Sequence, residues 1–368
     1  MSERKLSLQS RIRGCMIGGA AGDALGYPVE FMSEKEIRTR FGSAGIVDYV
    51  LDTATGKALI SDDTQMTLFT ANGILFRETR GALKGIGADL HQYLVHSYRD
   101  WLWTQVRVFG KKPGYSVSWL LDVPELYAQR APGMTCLSAL AERSSKNSPE
   151  SFCSNPVNNS KGCGGVMRVA PIGLVQRYLY DPSYEAAEAA AITHGHPLGF
   201  ISAGLLVLLI HNIVFENMGL GQALDCTIES AERIFGEKPA FTVLKAILEK
   251  AVNLTANNKP DSVNISELGQ GWIAEEALAI AVYCALRHED SFSEGVIAAV
   301  NHDGDSDSTG AITGNILGAY LGFEAVEEKW KKNLELMEVI LELADDLYCG
   351  CRVGDDKWLN KYLYCIRN

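Results

Sequence analysis

The chain has 368 residues, of which 47% are hydrophobic, and a formal net charge of -11. This apolar content can form a large core, and no linker divides the chain, so we expect one domain, residues 1–368, with a short N-terminal arm, residues 1–10. The acidity disfavours a nucleic-acid binder, which would need a basic patch. No signal region or uninterrupted transmembrane stretch is visible, so we expect no membrane partner. The nine scattered cysteines indicate reduced thiols in a cytoplasmic protein.

Helical patterns follow one another along almost the whole chain, which predicts an all-α fold. Small and apolar residues recur at helical spacing in seven segments: residues 11–25, 65–76, 184–192, 201–214, 274–286, 293–300 and 330–348. The densest apolar segment, residues 201–214, is interrupted by polar residues and indicates a buried helix. Alternating patterns are scarce, and the short segment 45–51 is the best candidate for a strand.

Glycines recur every four residues in the segment that follows Ser308. Gly310, Gly314, Gly318 and Gly322 would form one smooth ridge on a helix. Each glycine inside a helix costs about 1 kcal/mol relative to alanine, so four in register need a compensating contact. We therefore expect another backbone to pack against this ridge and to position the acidic loop that precedes it.

Two acidic clusters carry the strongest chemical signal. Ser61-Asp62-Asp63 precedes one predicted helix, and the segment from Asp303 to Ser308 precedes the glycine helix. Capping explains one such residue per helix, but not three acids at alternate positions. A calcium loop is excluded, because the glycine at position six and the glutamate at position twelve are missing. The remaining interpretation is a shared site for hard cations, with room for two ions about 3.5–4 Å apart.

Other candidate site residues stay open between a structural and a functional interpretation. The segment 158–165 is glycine-rich and could hold phosphate oxygens or form a surface turn. His194 and His196 could bind a metal, although a structural role is more common. Glu30 follows a proline-containing turn that could carry it over the metals. Glu275 and Glu276 suit a first helical turn, and one of them could lie near the substrate with Trp272.

Five motifs occur together in one order along nearly the whole chain. They are residues 14–26 with Glu30-Phe31, residues 61–64, residues 162–168 with Ala170-Pro171, Thr193-His194, and residues 303–310. In these motifs the sequence resembles the ADP-ribosylglycohydrolase family. The resemblance implies an orthogonal all-α helical bundle with a central binuclear metal site.

The resemblance also assigns roles to individual residues. It implies six metal ligands: Ser61, Asp62, Asp63, Asp305, Asp307 and Ser308. It implies that Glu30 takes the place of a mobile loop glutamate near the metals. For catalysis, a carboxylate of Glu30, Asp62 or Asp63 could act as a general base. It implies that the diphosphate and the distal ribose are held by Ser160, Lys161, Gly162 and Cys163, with His194 close by.

The activity implied is hydrolysis of the bond between ADP-ribose and an arginine side chain of a modified protein. Serine at positions 61 and 308, where many members have threonine, favours the arginine branch. We expect two divalent cations as cofactors, Mg²⁺ before Mn²⁺. One alternative is another linkage, to serine or in O-acetyl-ADP-ribose. Another is an immunity protein that also binds and blocks a cognate ADP-ribosyltransferase toxin, for which residues 110–149 are a candidate insertion.

Overall fold

Helices dominate the computed structural model, which describes residues 6–85, 87–143, 150–176 and 181–363. These ranges contain sixteen α-helices and three isolated bridges, but no β-strand, which confirms the predicted all-α class. In chain order the helices are α1 (Leu8–Gly26), α2 (Glu34–Phe41), α3 (Asp62–Lys84), α4 (Leu90–Val106), α5 (Met134–Arg143), α6 (Pro182–Ala191), α7 (Pro197–Phe215), α8 (Leu220–Phe235), α9 (Pro239–Thr255), α10 (Asp261–Leu268), α11 (Ala274–Arg287), α12 (Phe292–Val300), α13 (Ser306–Leu321), α14 (Glu328–Lys331), α15 (Met337–Cys349) and α16 (Asp356–Tyr362).

Six of the seven predicted helical segments coincide with one helix each. They lie in α1, α3, α6, α7, α11 and α12. A large cluster of buried apolar side chains draws on helices from α1 to α16. The predicted N-terminal arm is too long, because α1 begins at Leu8; residues 1–5 lie outside the described residues. The assignment of residues 1–368 to one domain stays a prediction.

Helices α1 and α13 pack antiparallel, backbone against backbone, through glycines on both sides. A Cβ atom on Gly18 would overlap the carbonyl oxygen of Gly314, and one on Gly314 would overlap that of Gly18. The pairs Gly14–Gly318 and Gly22–Gly310 repeat this contact along the two helices. The predicted packing of the glycine ridge against another backbone is thus confirmed. It brings the end of α1 beside the start of α13, where the later acidic cluster lies.

The last glycine of the predicted ridge has a different role. Gly322 follows α13 as its C-cap, with a φ of 81°, a conformation that glycine adopts without strain. Its amide donates to the carbonyl oxygen of Gly318 at 3.0 Å. The ridge therefore has three glycines, and the fourth ends the helix.

The predicted helix 330–348 is wrong as one element. It divides into α14 and α15, and the left-handed residues Asn333 and Leu336 lie between them. The amide of Ala58 donates to the carbonyl oxygen of Asn333 at 2.9 Å, and the amide of Glu335 donates to that of Ala58 at 3.0 Å. The helix stops because this stretch pairs with the segment that leads to the first acidic cluster.

The carboxylate of Glu335 strengthens this connection. It is buried, and it accepts hydrogen bonds from the amide of Ile60 at 3.1 Å and from the guanidinium of Arg130 at 3.1 Å. Ile60 directly precedes Ser61 in the chain. The interruption between α14 and α15 therefore anchors the start of α3, where a catalytic site is predicted.

The predicted strand 45–51 is also wrong. The segment has no strand partner in the described residues, and only Leu51 forms an isolated bridge, with Ala58. The side-chain amide of Asn301 takes a partner's place: it accepts from the amide of Ile46 at 2.8 Å and donates to the carbonyl oxygen of Ile46 at 2.9 Å. A single side chain thus satisfies backbone groups that a neighbouring strand would otherwise pair.

Helix α7 contains the apolar segment 201–214. Among the described helices it is the one long and apolar enough to cross a membrane by length and composition. Inside the protein, however, 83% of its most apolar window is buried, as in a core helix. The prediction of a buried helix is confirmed.

Candidate active site

The two acidic clusters occupy the N-terminal ends of α3 and α13. Ser61 caps α3, and its hydroxyl accepts from the amide of Asp63 at 3.1 Å. Asp305 caps α13, and its carboxylate accepts from the amide of Ser308 at 3.2 Å. All six predicted metal ligands are buried: Ser61, Asp62, Asp63, Asp305, Asp307 and Ser308. The N-terminus of a helix favours carboxylates, because the free backbone amides and the positive end of the helix dipole point towards them.

The fold brings the two clusters into contact. The carboxylate of Asp63 is a hydrogen-bond partner of Ser308, which lies on the other cluster. Burial raises the pKa of Asp63, and repulsion from Asp62, Asp23 and Asp305 raises it further. Burial likewise raises the pKa of Asp307, with repulsion from Asp63 and Asp305. Residues more than 240 positions apart in the chain thus share one electrostatic environment.

Glu30 faces the same cluster from the turn that follows α1. A short 3₁₀ helix, Tyr27–Val29, leads into it, and its side chain is buried. Burial, together with repulsion from Asp305 and Asp62, raises the pKa of Glu30 to about 8. Its Oε2 atom has no hydrogen-bond partner among the described residues. The structure therefore brings Glu30 to the predicted metal ligands.

Asp23, on α1, is a site residue that the sequence analysis did not identify. Its buried carboxylate accepts from the amides of Ser61 and Thr64, at 3.0 and 3.1 Å, and from the hydroxyl of Thr64. Burial raises the pKa of Asp23 to about 6, although these hydrogen bonds lower it. Asp23 thus holds the start of α3 in place. The signal in the sequence was a lone acid inside the small and apolar segment 14–26.

The donor set fits hard cations. Carboxylate and hydroxyl oxygens are the ligands that Mg²⁺ and Mn²⁺ prefer. Several mutually repelling carboxylates are buried together, and Oδ2 of Asp63 and Oε2 of Glu30 lack partners in the described part of the chain. Buried carboxylates that repel one another need positive charge nearby to compensate them, and bound cations would supply it. No three acidic, histidine or cysteine side chains in the described ranges already form a metal site, so the two-ion geometry stays a prediction.

We expect the metal-free protein to lose stability as the pH rises from about 5 to about 8. Burial, with hydrogen bonds that oppose it and repulsion from Asp23 and Asp305, raises the pKa of Asp62 to about 8, the same value as that of Glu30. In the unfolded chain both acids ionise near pH 4. Between these limits the folded state holds protons that the unfolded state has lost, so the free energy of unfolding falls with pH.

Unfolding midpoints in a chelator, measured from pH 5 to pH 8.5, would test this expectation. Asp100 and Glu185, whose pKa values burial raises to about 7, contribute to the same slope but lie on other helices. A divalent cation should therefore reduce only the part of the pH dependence of stability that comes from the acidic cluster. A slope that is the same with and without the cation would contradict the prediction.

The predicted diphosphate loop lies against the start of α13. Its backbone pairs with the segment before α11: the amide of Cys163 donates to Trp272 at 3.1 Å, and the amide of Ala274 donates to Lys161 at 2.9 Å. The thiol of Cys163 donates to the carboxylate of Asp305 at 2.8 Å, and burial raises the pKa of this thiol. The loop Ser160, Lys161, Gly162 and Cys163 is thus in direct contact with a predicted metal ligand.

His194 supports this loop from behind. A Cβ atom on Gly164 would lie 2.8 Å from Cε1 of His194, so glycine allows the ring to approach the loop closely. Burial, with the nearby Arg168, lowers the pKa of His194 to about 3, so the ring is neutral. The hydroxyl of Thr193 accepts from Arg168 at 2.8 Å and lies 2.8 Å from Nδ1 of His194.

The remaining candidates fall into two groups. Glu275 belongs to the site region, because its buried carboxylate lies 2.5 Å from the ammonium group of Lys161. Glu276 has a structural role: it accepts from the amides of Gln270 and Gly271, which shape the segment before α11. His196 is also structural, since its Nδ1 accepts from the amide of Leu198 at the start of α7.

Fold and site together define an all-α protein whose buried carboxylates, at two helix N-termini, lie against a glycine-rich loop. The ADP-ribosylglycohydrolase family model matches residues 4–356. The chain belongs to this family and is an ADP-ribosyl hydrolase. The family generally depends on divalent metal ions and acts on ADP-ribosylated proteins.

Two distant relatives match most of the chain. ADP-ribosylhydrolase ARH3 of Mus musculus is 25% identical, over 92% of this chain and 91% of its own. ADP-ribosylarginine hydrolase Tri1 of Serratia proteamaculans is 22% identical, over 92% and 79%. A solved structure described as an ADP-ribosylglycohydrolase-related protein complex shares the fold, with a TM-score of 0.61, 23% identity, and coverage of 93% of this chain and 98% of that one.

Proposed function

We propose that this protein removes ADP-ribose from modified arginine side chains of proteins, as an N-glycosidase that uses two divalent cations. The observation that carries the proposal is the set of six buried oxygen donors, at the starts of α3 and α13, beside the glycine loop at Cys163. Support for arginine comes from the serines at positions 61 and 308 and from the name of the Serratia relative.

In this proposal, different residues hold the cations and the diphosphate. Ser61, Asp62, Asp63, Asp305, Asp307 and Ser308 would hold the cations. When bound, these cations would supply positive charge for orienting the ribose hydroxyls and for activating a water. The loop of residues 160–163 would bind the diphosphate, and the ring of His194 packs behind that loop. Mg²⁺ is the first choice and Mn²⁺ the second, since both prefer oxygen ligands.

A carboxylate next to the scissile bond serves as the general base. Glu30, with its partnerless Oε2, suits this role, and Asp62 and Asp63 are the other candidates. The bond from the ribose carbon to the guanidine nitrogen breaks with oxocarbenium character, and the water oxygen bonds to that carbon. The proton of the water passes to the carboxylate and leaves with the guanidine.

A substrate panel tests the linkage. We expect release of ADP-ribose from ADP-ribosyl-arginine to exceed release from ADP-ribosyl-serine and from O-acetyl-ADP-ribose by at least about tenfold, and to stop in a chelator. Mg²⁺ and Mn²⁺ added back separately would identify the preferred ion. Faster release from the serine linkage or from O-acetyl-ADP-ribose would overturn the proposal and leave a hydrolase of that other linkage.

The immunity role stays a prediction that nothing in the described chain tests. Its candidate insertion, residues 110–149, contains α5, while residues 144–149 lie outside the described residues. Protection of cells from an ADP-ribosylating toxin by a variant without hydrolase activity would favour direct blocking. The cytoplasmic location is likewise a proposal from the sequence.

A further inference from the structure

Two exposed apolar side chains flank the acidic cluster. Phe31 and Met134 are the most exposed large hydrophobic residues of the described chain, at 75% and 74%. Phe31 directly follows Glu30, and Met134 directly follows Gly133, whose amide donates to the carboxylate of Asp62 at 3.3 Å. Each side chain is thus one residue away from a group that belongs to, or contacts, the cluster.

A third apolar side chain connects this surface to the diphosphate loop. The ring of Trp272 is 38% exposed and stacks on that of Phe31, with centroids 5.9 Å apart and planes 16° from parallel. The carbonyl oxygen of Trp272 accepts from the amide of Cys163. We call Phe31, Met134 and Trp272 the acceptor rim. Its members come from three separate parts of the chain and border the same site.

Packing in the core does not explain why the acceptor rim has large apolar side chains. Single exposed apolar residues are ordinary on any protein, but several around one functional opening indicate a binding surface. Aromatic side chains and methionine are enriched in such surfaces, because they offer a large contact area. The stack leaves most of Phe31 exposed, so its ring can contact a partner.

The charge beside the acceptor rim indicates what kind of partner fits. The proposed cations would neutralise the buried acids, but an acidic group lies outside them: the exposed carboxylate of Asp303 accepts from the amide of Glu34, three residues after Phe31, at 2.6 Å. The nearby cation Lys161 is already paired, with Glu275. A partner that carries positive charge together with apolar side chains is therefore complementary to this surface.

We propose that the acceptor rim binds the polypeptide of the modified protein, at a segment in which apolar residues flank the arginine. This inference rests on the proposed function for the choice of arginine. The acceptor rim would then help to select which modified protein is bound, in addition to the residues that hold ADP-ribose. In this arrangement the rim holds the polypeptide while the loop holds the nucleotide.

Binding of an unmodified peptide tests the proposal without any hydrolysis. A fluorescein-labelled peptide with a central arginine between leucines should bind to the full chain, as measured by anisotropy. Phe31→Ala and Met134→Ala should each weaken its binding at least about fivefold, as expected for truncated interface anchors. The matched control is Val243→Ala on α9, an apolar residue that is 53% exposed, and it should bind as the wild type does.

The peptide carries no ADP-ribose, so its binding does not depend on which linkage the enzyme cleaves. A failure of the arginine assay would therefore be distinguishable from a failure of the acceptor rim. Replacing the arginine of the peptide by glutamate should weaken binding at least about tenfold. Absence of binding to the wild type, or equal binding by Phe31→Ala, Met134→Ala and the wild type, would overturn the proposal.

Kinetics separate a docking surface from a contact with the nucleotide. The rim variants should lower kcat/KM for an ADP-ribosylated protein several times more than for a free ADP-ribosylated amino acid of the linkage that the wild type cleaves, mainly through KM. An equal loss on both substrates would show that Phe31 and Trp272 act on the Glu30 turn or on the nucleotide, and would overturn acceptor docking.

Discussion

Replacing Asp63 by asparagine is expected to lower ADP-ribosyl hydrolysis about a hundredfold or more. Loss of even an outer partner of a metal ligand typically costs 10–100-fold, and Asp63 is proposed as a direct ligand. Asparagine keeps the size of the side chain and leaves the Ser61 cap of α3 in place. Asp63 is a cleaner choice than Asp305, whose carboxylate also caps α13.

The stability of Asp63→Asn in a chelator, unlike its activity, should not fall. Removing one charge from the buried cluster relieves repulsion on Asp62 and Asp307, so in a chelator the variant should unfold at the wild-type temperature or above it. At a cation concentration of 100 Kd the wild type should gain about 2.7 kcal/mol, and the variant much less. Differential scanning calorimetry with and without Mg²⁺ measures both effects.

The matched control is Asp356→Asn, at an exposed aspartate in the first turn of α16. It should keep both the activity and the shift caused by the cation. Normal turnover by Asp63→Asn, together with a normal shift, would remove Asp63 from the metal site.

Replacing Gly314 by alanine is expected to destabilise the fold by about 3 kcal/mol or more. The new Cβ would overlap the backbone carbonyl of Gly18, and neither helix backbone can move aside as a side chain could. Overpacking of a core costs about 1–3 kcal/mol and occasionally more, and here the obstacle is main chain on both sides. Urea unfolding followed by circular dichroism would measure the loss.

Gly221→Ala is the control for this change. Gly221 lies in α8 with nothing within 4 Å of an added Cβ, so alanine there should be neutral or stabilising, by up to about 1 kcal/mol. If Gly314→Ala unfolds at the same urea concentration as the wild type, the backbone contact between α1 and α13 does not exist as described.

Much of the fold was predictable because its signals are local. The acids stand where α3 and α13 begin, the glycines of α13 recur every four residues as on one face of a helix, and the structure has helices there. The elements that were missed depend on distant partners. The segment 45–51 lacks a strand because Asn301, far along the chain, satisfies the backbone of Ile46.

The site was predictable to a similar extent. Motif positions identified residues that the fold does bring together, from Glu30 to Ser308. Asp23 was missed because a buried acid on α1 has no local signal for its partners, the amides of Ser61 and Thr64. The pairing of Lys161 with Glu275 was missed for the same reason, since a backbone bridge between Gly162 and Ile273 creates it.

The pairing of α1 with α13 also has a consequence for synthesis of the protein. The two helices are separated by about 280 residues of sequence, from Gly26 to Ser306. At roughly 5–20 residues per second, the glycine face of α1 would wait about 15–60 s on the ribosome for its partner. Contacts so distant in sequence also slow folding itself. We expect the nascent chain to rely on chaperones in this interval, because the glycine face of α1 is made long before α13, which covers it.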